Sequence, residues 1–272
     1  MANATLTGRA LRFARLAGYG DGRLVLVPLD HSVSDGPITA AVRFDELVRD
    51  IVAGGADGIV VHKGRARLLD PTLFATCSLI VHLSASTVHS PDGNAKVLVA
   101  DVEEALRLGA DAVSVHVNIG SDTEAKQLAD MAKVAAACDR WGMPLLAMIY
   151  LRGPRITGPV TPEQVAHVVT LAAELGADLV KTAFAQPADG MTDAVAASPL
   201  PVLVAGGSHD TRASLGEFAR TALAAGCQGL AIGRRVFTAP APGRLVRELV
   251  DIVHGPTVAP VPFSPSRLAG VQ

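Results

Sequence analysis

Eight short runs of β-branched and aliphatic residues punctuate the chain, and stretches of helical period lie between them. The runs are Leu24–Asp30, Gly58–His62, Leu79–Leu83, Ala112–Val117, Leu145–Tyr150, Asp178–Thr182, Val202–Ala205 and Gly229–Gly233. Apolar residues three and four apart mark helices over Phe44–Ala53, Val102–Leu108, Glu124–Trp141, Glu163–Leu175 and Ser214–Ala225. Strands that are apolar nearly throughout leave no face for water, so they predict parallel β-α-β units. Glycine stands where the helices should stop, at Gly55-Ala56, Gly109-Ala110, Gly142-Met143, Gly176-Ala177 and Gly226-Cys227. A glycine there supplies the left-handed residue that ends a helix. Thr161-Pro162-Glu163 reads as an N-cap followed by proline at the first helical position. Eight such units predict an α/β protein with a single (β/α)8 TIM barrel over residues 1–253. No GxGxxG turn follows the first strand, which counts against a dinucleotide-binding sheet. From His254 the chain is proline-rich and aperiodic, and 254–272 is read as a tail, either strapped over a neighbouring surface or disordered.

Composition narrows the class. Of 272 residues, 49% are hydrophobic and 18% charged, which supports a large core and excludes intrinsic disorder. The 24 basic and 26 acidic residues give a net charge of −2, leaving no electrostatic footprint for nucleic acid or an anionic membrane. Cys77, Cys138 and Cys227 are too few and too scattered for a disulfide framework or a thiolate metal cage. The N-terminus has basic residues but no apolar core of a signal peptide, and no apolar run reaches membrane-spanning length. A soluble, cytoplasmic protein is expected.

In such barrels the chemistry gathers at the C-terminal ends of the strands. Asp30 and His31 close the first strand, His62 and Lys63 the second, and His82 sits late in the third. His116 and Asn118 close the fourth, Tyr150 and Arg152 the fifth, and Lys181 interrupts the sixth. Lysine is scarce, five against 19 arginines; Lys96, Lys126 and Lys133 read as solvated loop or helix-surface residues. Strand alternation puts Lys181 on the inward face with Leu179. A buried lysine is costly as a cation, and its neutral amine is a nucleophile for a ketone. A structural ion pair with Asp30 is the alternative reading. Tyr150 shares an inward face with Leu146 and Met148, where a phenol could move a proton or simply pack. Gly206, Gly207 and Ser208 after strand seven, with Gly233 and Arg234 after strand eight, occupy the positions where barrels hold phosphate. Asp30, His31, His62, His82 and His116 could instead converge on a metal, though no H-x-H or H-x-x-x-H spacing anchors one.

These residues resemble a known group. The stretches LDHSVSDGP (Leu29–Pro37), ADGIVVHKG (Ala56–Gly64), LIVHLSAST (Leu79–Thr87), WGMPLLAMIYLRG (Trp141–Gly153), ELGADLVKT (Glu174–Thr182) and GRRVF (Gly233–Phe237) are similar to the archaeal-type class I aldolases, and within them to the 2-amino-3,7-dideoxy-D-threo-hept-6-ulosonate synthase branch. The resemblance implies Lys181 as Schiff-base lysine, Tyr150 and Asp30 as its catalytic partners, and Gly206, Gly207, Gly233 and Arg234 as phosphate ligands. It implies no cofactor beyond the covalent lysine adduct, and no metal. It implies a ketose-phosphate donor such as dihydroxyacetone phosphate, L-aspartate 4-semialdehyde as acceptor, and a homo-oligomer that could be a decamer. His31, Lys63, Arg152 and His116 are the candidates for the remaining substrate contacts. Ser32, Leu151 and the pair Ala183-Phe184 depart from the family pattern at the pocket rim. The competing readings are a fructose-bisphosphate aldolase, a metal-dependent barrel enzyme and a non-catalytic phospho-sugar-binding barrel.

Overall fold

In the computed structural model, which describes residues 4–206 and 214–255, the apolar runs close on themselves. The barrel strands are β1 (Leu24–Pro28), β2 (Gly58–Val61), β3 (Ser78–His82), β6 (Ala112–Ile119), β7 (Leu145–Leu151), β8 (Leu179–Thr182), β9 (Val202–Ala205) and β10 (Gly229–Ala231), with the two-stranded antiparallel ribbon β4 (Ser84–Ala85) and β5 (Val97–Leu98) following β3. All eight barrel pairings are parallel, and β1 joins β10 to complete the ring. The expected (β/α)8 barrel is therefore the observed architecture. Cys77, Cys138 and Cys227 are buried and unbridged, and no helix of the described residues is long and apolar enough to cross a membrane.

Alternation along each strand divides the core in two. Val25, Val27, Val113, Ala147 and Val180 point outward under the helices, whereas Leu24, Leu26, Leu146, Met148, Leu179 and Leu203 fill the barrel interior. The helix Ala4–Leu16 supplies the floor, with Leu16 and Phe13 packed on the interior cluster. Arg9 pairs with Asp178 at 3.0 Å and Arg12 donates to the Gly142 carbonyl at 2.9 Å, fixing that helix across the N-terminal end of the barrel.

The glycine-ended helices carry a second device. All five expected helix-ending glycines have positive φ, from 58° at Gly142 to 93° at Gly55. In three of those joints the residue after Gly-Ala is an aspartate whose carboxylate accepts a backbone N–H from the preceding barrel strand. Asp57 takes Val25 N at 2.6 Å, Asp111 takes Leu79 N at 3.3 Å and Asp178 takes Leu145 N at 2.8 Å. Gln228 does the same for Val202 at 2.8 Å. These bonds satisfy strand-end donors at the closed end of the barrel and hold the register that aims the opposite ends. The helix Pro242–His254 runs one residue into the segment read as tail. His254 is buried, bonding Asp21 through Nδ1 at 2.9 Å and Asp57 through Nε2 at 3.0 Å while stacking on Tyr19. Residues 256–272 lie outside the described residues.

Candidate active site

A cavity of about 780 Å³ opens at the C-terminal ends of the strands. Lys181 stands on its wall, carried by β8 between Met148 of β7 and Leu203 of β9. The residue is only 6% exposed, and its amine makes no hydrogen bond or ion pair with any described residue. Asp30 does not pair with it directly, so the structural ion pair weighed against a nucleophile is absent. A buried amine left without a partner in a cavity is an unusual and costly arrangement outside a reactive site.

Asp30 begins the turn after β1 and lines the same cavity. Burial alone would raise its pKa, but His82, His31, Lys181 and His62 around it hold the carboxyl well below the usual range. Its Oδ1 is buried without a hydrogen-bond partner, as is Nδ1 of His31, 3.7 Å away and too far to bond. Burial lowers the pKa of His31, His62 and His82, that of His82 to about 4. The His82 ring is already committed, with Nδ1 2.7 Å from the Ser114 hydroxyl. Among the described residues no three metal-ligating groups are arranged to share an ion.

Tyr150, also buried, projects from β7 beside the His116 ring at 5.1 Å, and the Arg152 guanidinium covers its face at 4.4 Å. His116 lies beside Lys96 and Arg152, and burial keeps its pKa far below the ordinary value. Its Nε2 is 2.9 Å from Asn118 Oδ1, and the Asn118 amide donates to the Asn94 carbonyl. That second bond orients the amide, so His116 carries its proton on Nε2 and a free lone pair on Nδ1.

Across the barrel, Gly206, Gly233 and Arg234 line the cavity at the ends of β9 and β10. A Cβ at Gly233 would fall 2.3 Å from the Pro28 carbonyl and 2.8 Å from the His31 ring, so only glycine fits this close approach. Arg234 pairs with Asp35 at 3.2 Å on the rim. Gly207 and Ser208 lie outside the described residues.

One expected contact is corrected. Lys63 does not line the cavity, because its ammonium is clasped by both Glu104 carboxylate oxygens at 2.9 Å. A strand-end position does not reveal a partner 41 residues away. Conversely, Lys96, for which the sequence predicts a solvated position, is a cavity residue, hydrogen-bonded to Ser86. Ser86 and Thr87, from the HLSAST stretch, line the cavity with it. The ribbon that carries Lys96 inward has strands of two residues, too short to leave a periodic signal. Lys126 and Lys133 do lie on a helix surface, both paired with Asp130.

Residues 24–239 match the model of the DeoC/LacD family aldolases. The chain is 54% identical over 247 residues to the 2-amino-4,5-dihydroxy-6-oxo-7-(phosphonooxy)heptanoate synthase of Streptomyces griseus, with 90% of each chain covered. It is 40% identical to a 2-amino-3,7-dideoxy-D-threo-hept-6-ulosonate synthase of Archaeoglobus fulgidus, covering 92% of each. The structure superposes on that of an archaeal fructose 1,6-bisphosphate aldolase with a TM-score of 0.80 at 28% identity, over 91% of this chain and all of the other. A Schiff-base-forming fructose-1,6-bisphosphate aldolase, studied through its reaction intermediates, gives 0.79 at 28% identity over 90% of this chain and 99% of the other. With the family model, the relatives and the barrel in agreement, the chain belongs to the DeoC/LacD family of aldolases and is a class I aldolase.

Proposed function

We propose that the enzyme joins dihydroxyacetone phosphate to L-aspartate 4-semialdehyde through a Schiff base on Lys181. The observation that carries this reading is the unpaired, buried Lys181 amine between Tyr150 and the phosphate-type turns. The name of the Streptomyces relative's product supports the choice of substrates. An imine at the 6-oxo carbon of such a heptanoate activates its neighbour, C5, so the bond made is C5 to C4. Cutting there leaves three carbons bearing the phosphate and four carbons bearing an amine, a carboxylate and an aldehyde. Those fragments are the two proposed substrates.

The steps follow from the residues. Lys181 Nζ adds to the donor ketone, and loss of water gives the iminium. Asp30, held ionised and with a free Oδ1, accepts a hydrogen bond from a donor hydroxyl and keeps the adduct oriented. A proton passes from the adjacent carbon to a cavity water while the iminium takes up the electron pair as an enamine, and that proton restores the Tyr150 phenol once the new bond is made. The enamine carbon then bonds to the aldehyde carbon, whose oxygen takes a proton from Tyr150. Water hydrolyses the new iminium and frees Lys181. The donor phosphate is assigned to Gly206, Gly207, Ser208, Gly233 and Arg234, where glycine lets backbone N–H groups approach and arginine adds charge.

Incubation of the enzyme and dihydroxyacetone phosphate with aspartate semialdehyde or with glyceraldehyde 3-phosphate, followed by mass analysis of products, tests the assignment. A seven-carbon amino acid phosphate is the expected product, made at least tenfold faster than any hexose bisphosphate. A faster hexose bisphosphate would make the enzyme a fructose-bisphosphate aldolase.

A further inference from the structure

The donor half of the cavity leaves a second group of charges unexplained. Lys96 reaches the cavity from the β4–β5 ribbon, after the third barrel strand, and Arg152 follows the fifth. The phosphate-type turns follow the seventh and eighth, so the two groups face each other across the ring. Lys96 spends one hydrogen on the Ser86 hydroxyl, and Arg152 rests on the Tyr150 ring. Neither pairs with a carboxylate among the described residues. Burial, and then the charge of Arg152, pushes the Lys96 pKa down. Two cations partly withdrawn from water and acting on each other are held at a cost that a bound anion removes.

We infer that Lys96 and Arg152 form the acceptor-carboxylate site, holding the far end of the substrate while Lys181 holds the donor. This inference rests on the reading of the enzyme as an aldolase that builds a chain with phosphate at one end and an amino acid at the other. In that product the imine carbon neighbours the phosphate-bearing carbon, and the carboxylate is five bonds further on. The placement of Lys181 next to the seventh strand, with the cations on the side of Tyr150, reproduces that asymmetry. A carboxylate suits this site better than a second phosphate. Asp30 and Asp35 line the same cavity, and Asp30, Asp35 and Asp92 all act on Lys96, so the field is mixed and opposes a dianion. An amino acid is a zwitterion, and the lone pair on His116 Nδ1 offers an acceptor for its ammonium among the same lining residues.

The test compares wild type, Lys96→Met and Lys96→Arg, with dihydroxyacetone phosphate as donor and three acceptors. These are aspartate semialdehyde, 3-aminopropanal, which lacks only the carboxylate, and glyceraldehyde 3-phosphate. Loss of a charge-assisted contact should raise KM for aspartate semialdehyde about 10- to 100-fold in Lys96→Met, with KM for the donor within about threefold. Lys96→Arg should recover most of the affinity, and kcat/KM for 3-aminopropanal should be low in wild type and unmoved in the variants. An unchanged KM for aspartate semialdehyde in Lys96→Met would overturn the site and leave the aldolase reading intact. So would a wild type that uses 3-aminopropanal as well as aspartate semialdehyde, a result that needs no variant to fold. A wild type that accepts glyceraldehyde 3-phosphate and not aspartate semialdehyde would overturn the acceptor reading, and the carboxylate site with it.

Discussion

In the proposed mechanism a single side chain decides the chemistry, and its neighbours decide how the chemistry proceeds. Lys181 is buried on an apolar strand with no partner, so the stability given up there has no structural return. The proposed mechanism gives Tyr150 a different task, proton transfer in the bond-forming step, and this separates the two experimentally. Tyr150→Phe should still form the Lys181 adduct, while turnover with aldehyde should fall about 10²- to 10⁴-fold. Trapping the adduct and timing its discharge in one series of samples checks both halves. A Tyr150→Phe enzyme that turns over at the wild-type rate would return Tyr150 to a packing role.

At the scale of elements, local signals at helix ends and strand starts determine where the side chains arrive. Three helices begin with complete capping boxes, Asp101 with Glu104, Thr161 with Gln164, and Ser214 with Glu217. Glu104 also clasps Lys63, so one box ties the Val102–Arg107 helix to the end of β2. Asp101→Ala should cost about 1 kcal/mol and lower the melting temperature by roughly 2–4 °C, read by calorimetry, with turnover per folded enzyme unchanged. The strands and the glycine joints were legible because their signals are local: an apolar run and a left-handed residue are written in consecutive positions. The cavity positions of Lys181 and Tyr150 were legible for the same reason, since alternation places them inward, and that of Asp30 from its place just past the end of the first strand. What escaped was set by distant contacts. The floor helix Ala4–Leu16 reads as a basic N-terminus, because its apolar residues Phe13 and Leu16 find their partners only inside the closed barrel. Lys96 and Lys63 exchange their expected roles because a two-residue ribbon and a distant glutamate settle where each ammonium lies.

Over the whole molecule, the barrel gathers histidines whose pKa values burial lowers at its cavity end and holds one histidine between two aspartates at its floor. His31, His62, His82 and His116 all have pKa values lowered by burial, that of His82 to about 4. The unfolded chain binds protons on these groups near 6.5, before the folded protein does, so stability falls as pH drops through that window. His254, between Asp21 and Asp57, has a raised pKa, so its contribution is present below 6.5 and lost as pH rises through the raised value. Between pH 7 and pH 5 the unfolded chain's histidines titrate, so the four lowered histidines act against His254 and against the buried Asp57, Asp111 and Asp178, whose pKa values burial raises, and the denaturant midpoint should fall over that interval. A flat or rising midpoint would show that the neutral cluster does not govern acid stability. In the proposed mechanism the barrel as a whole presents a buried lysine amine, free of any direct bond, beside a phosphate-type turn. Borohydride reduction in the presence of dihydroxyacetone phosphate, followed by peptide mass mapping, tests that claim most directly. The expected result is one reduced adduct, on Lys181, absent from Lys181→Ala although that variant stays folded. An adduct on Lys63 or Lys96, or none on an enzyme that still turns over, would contradict it.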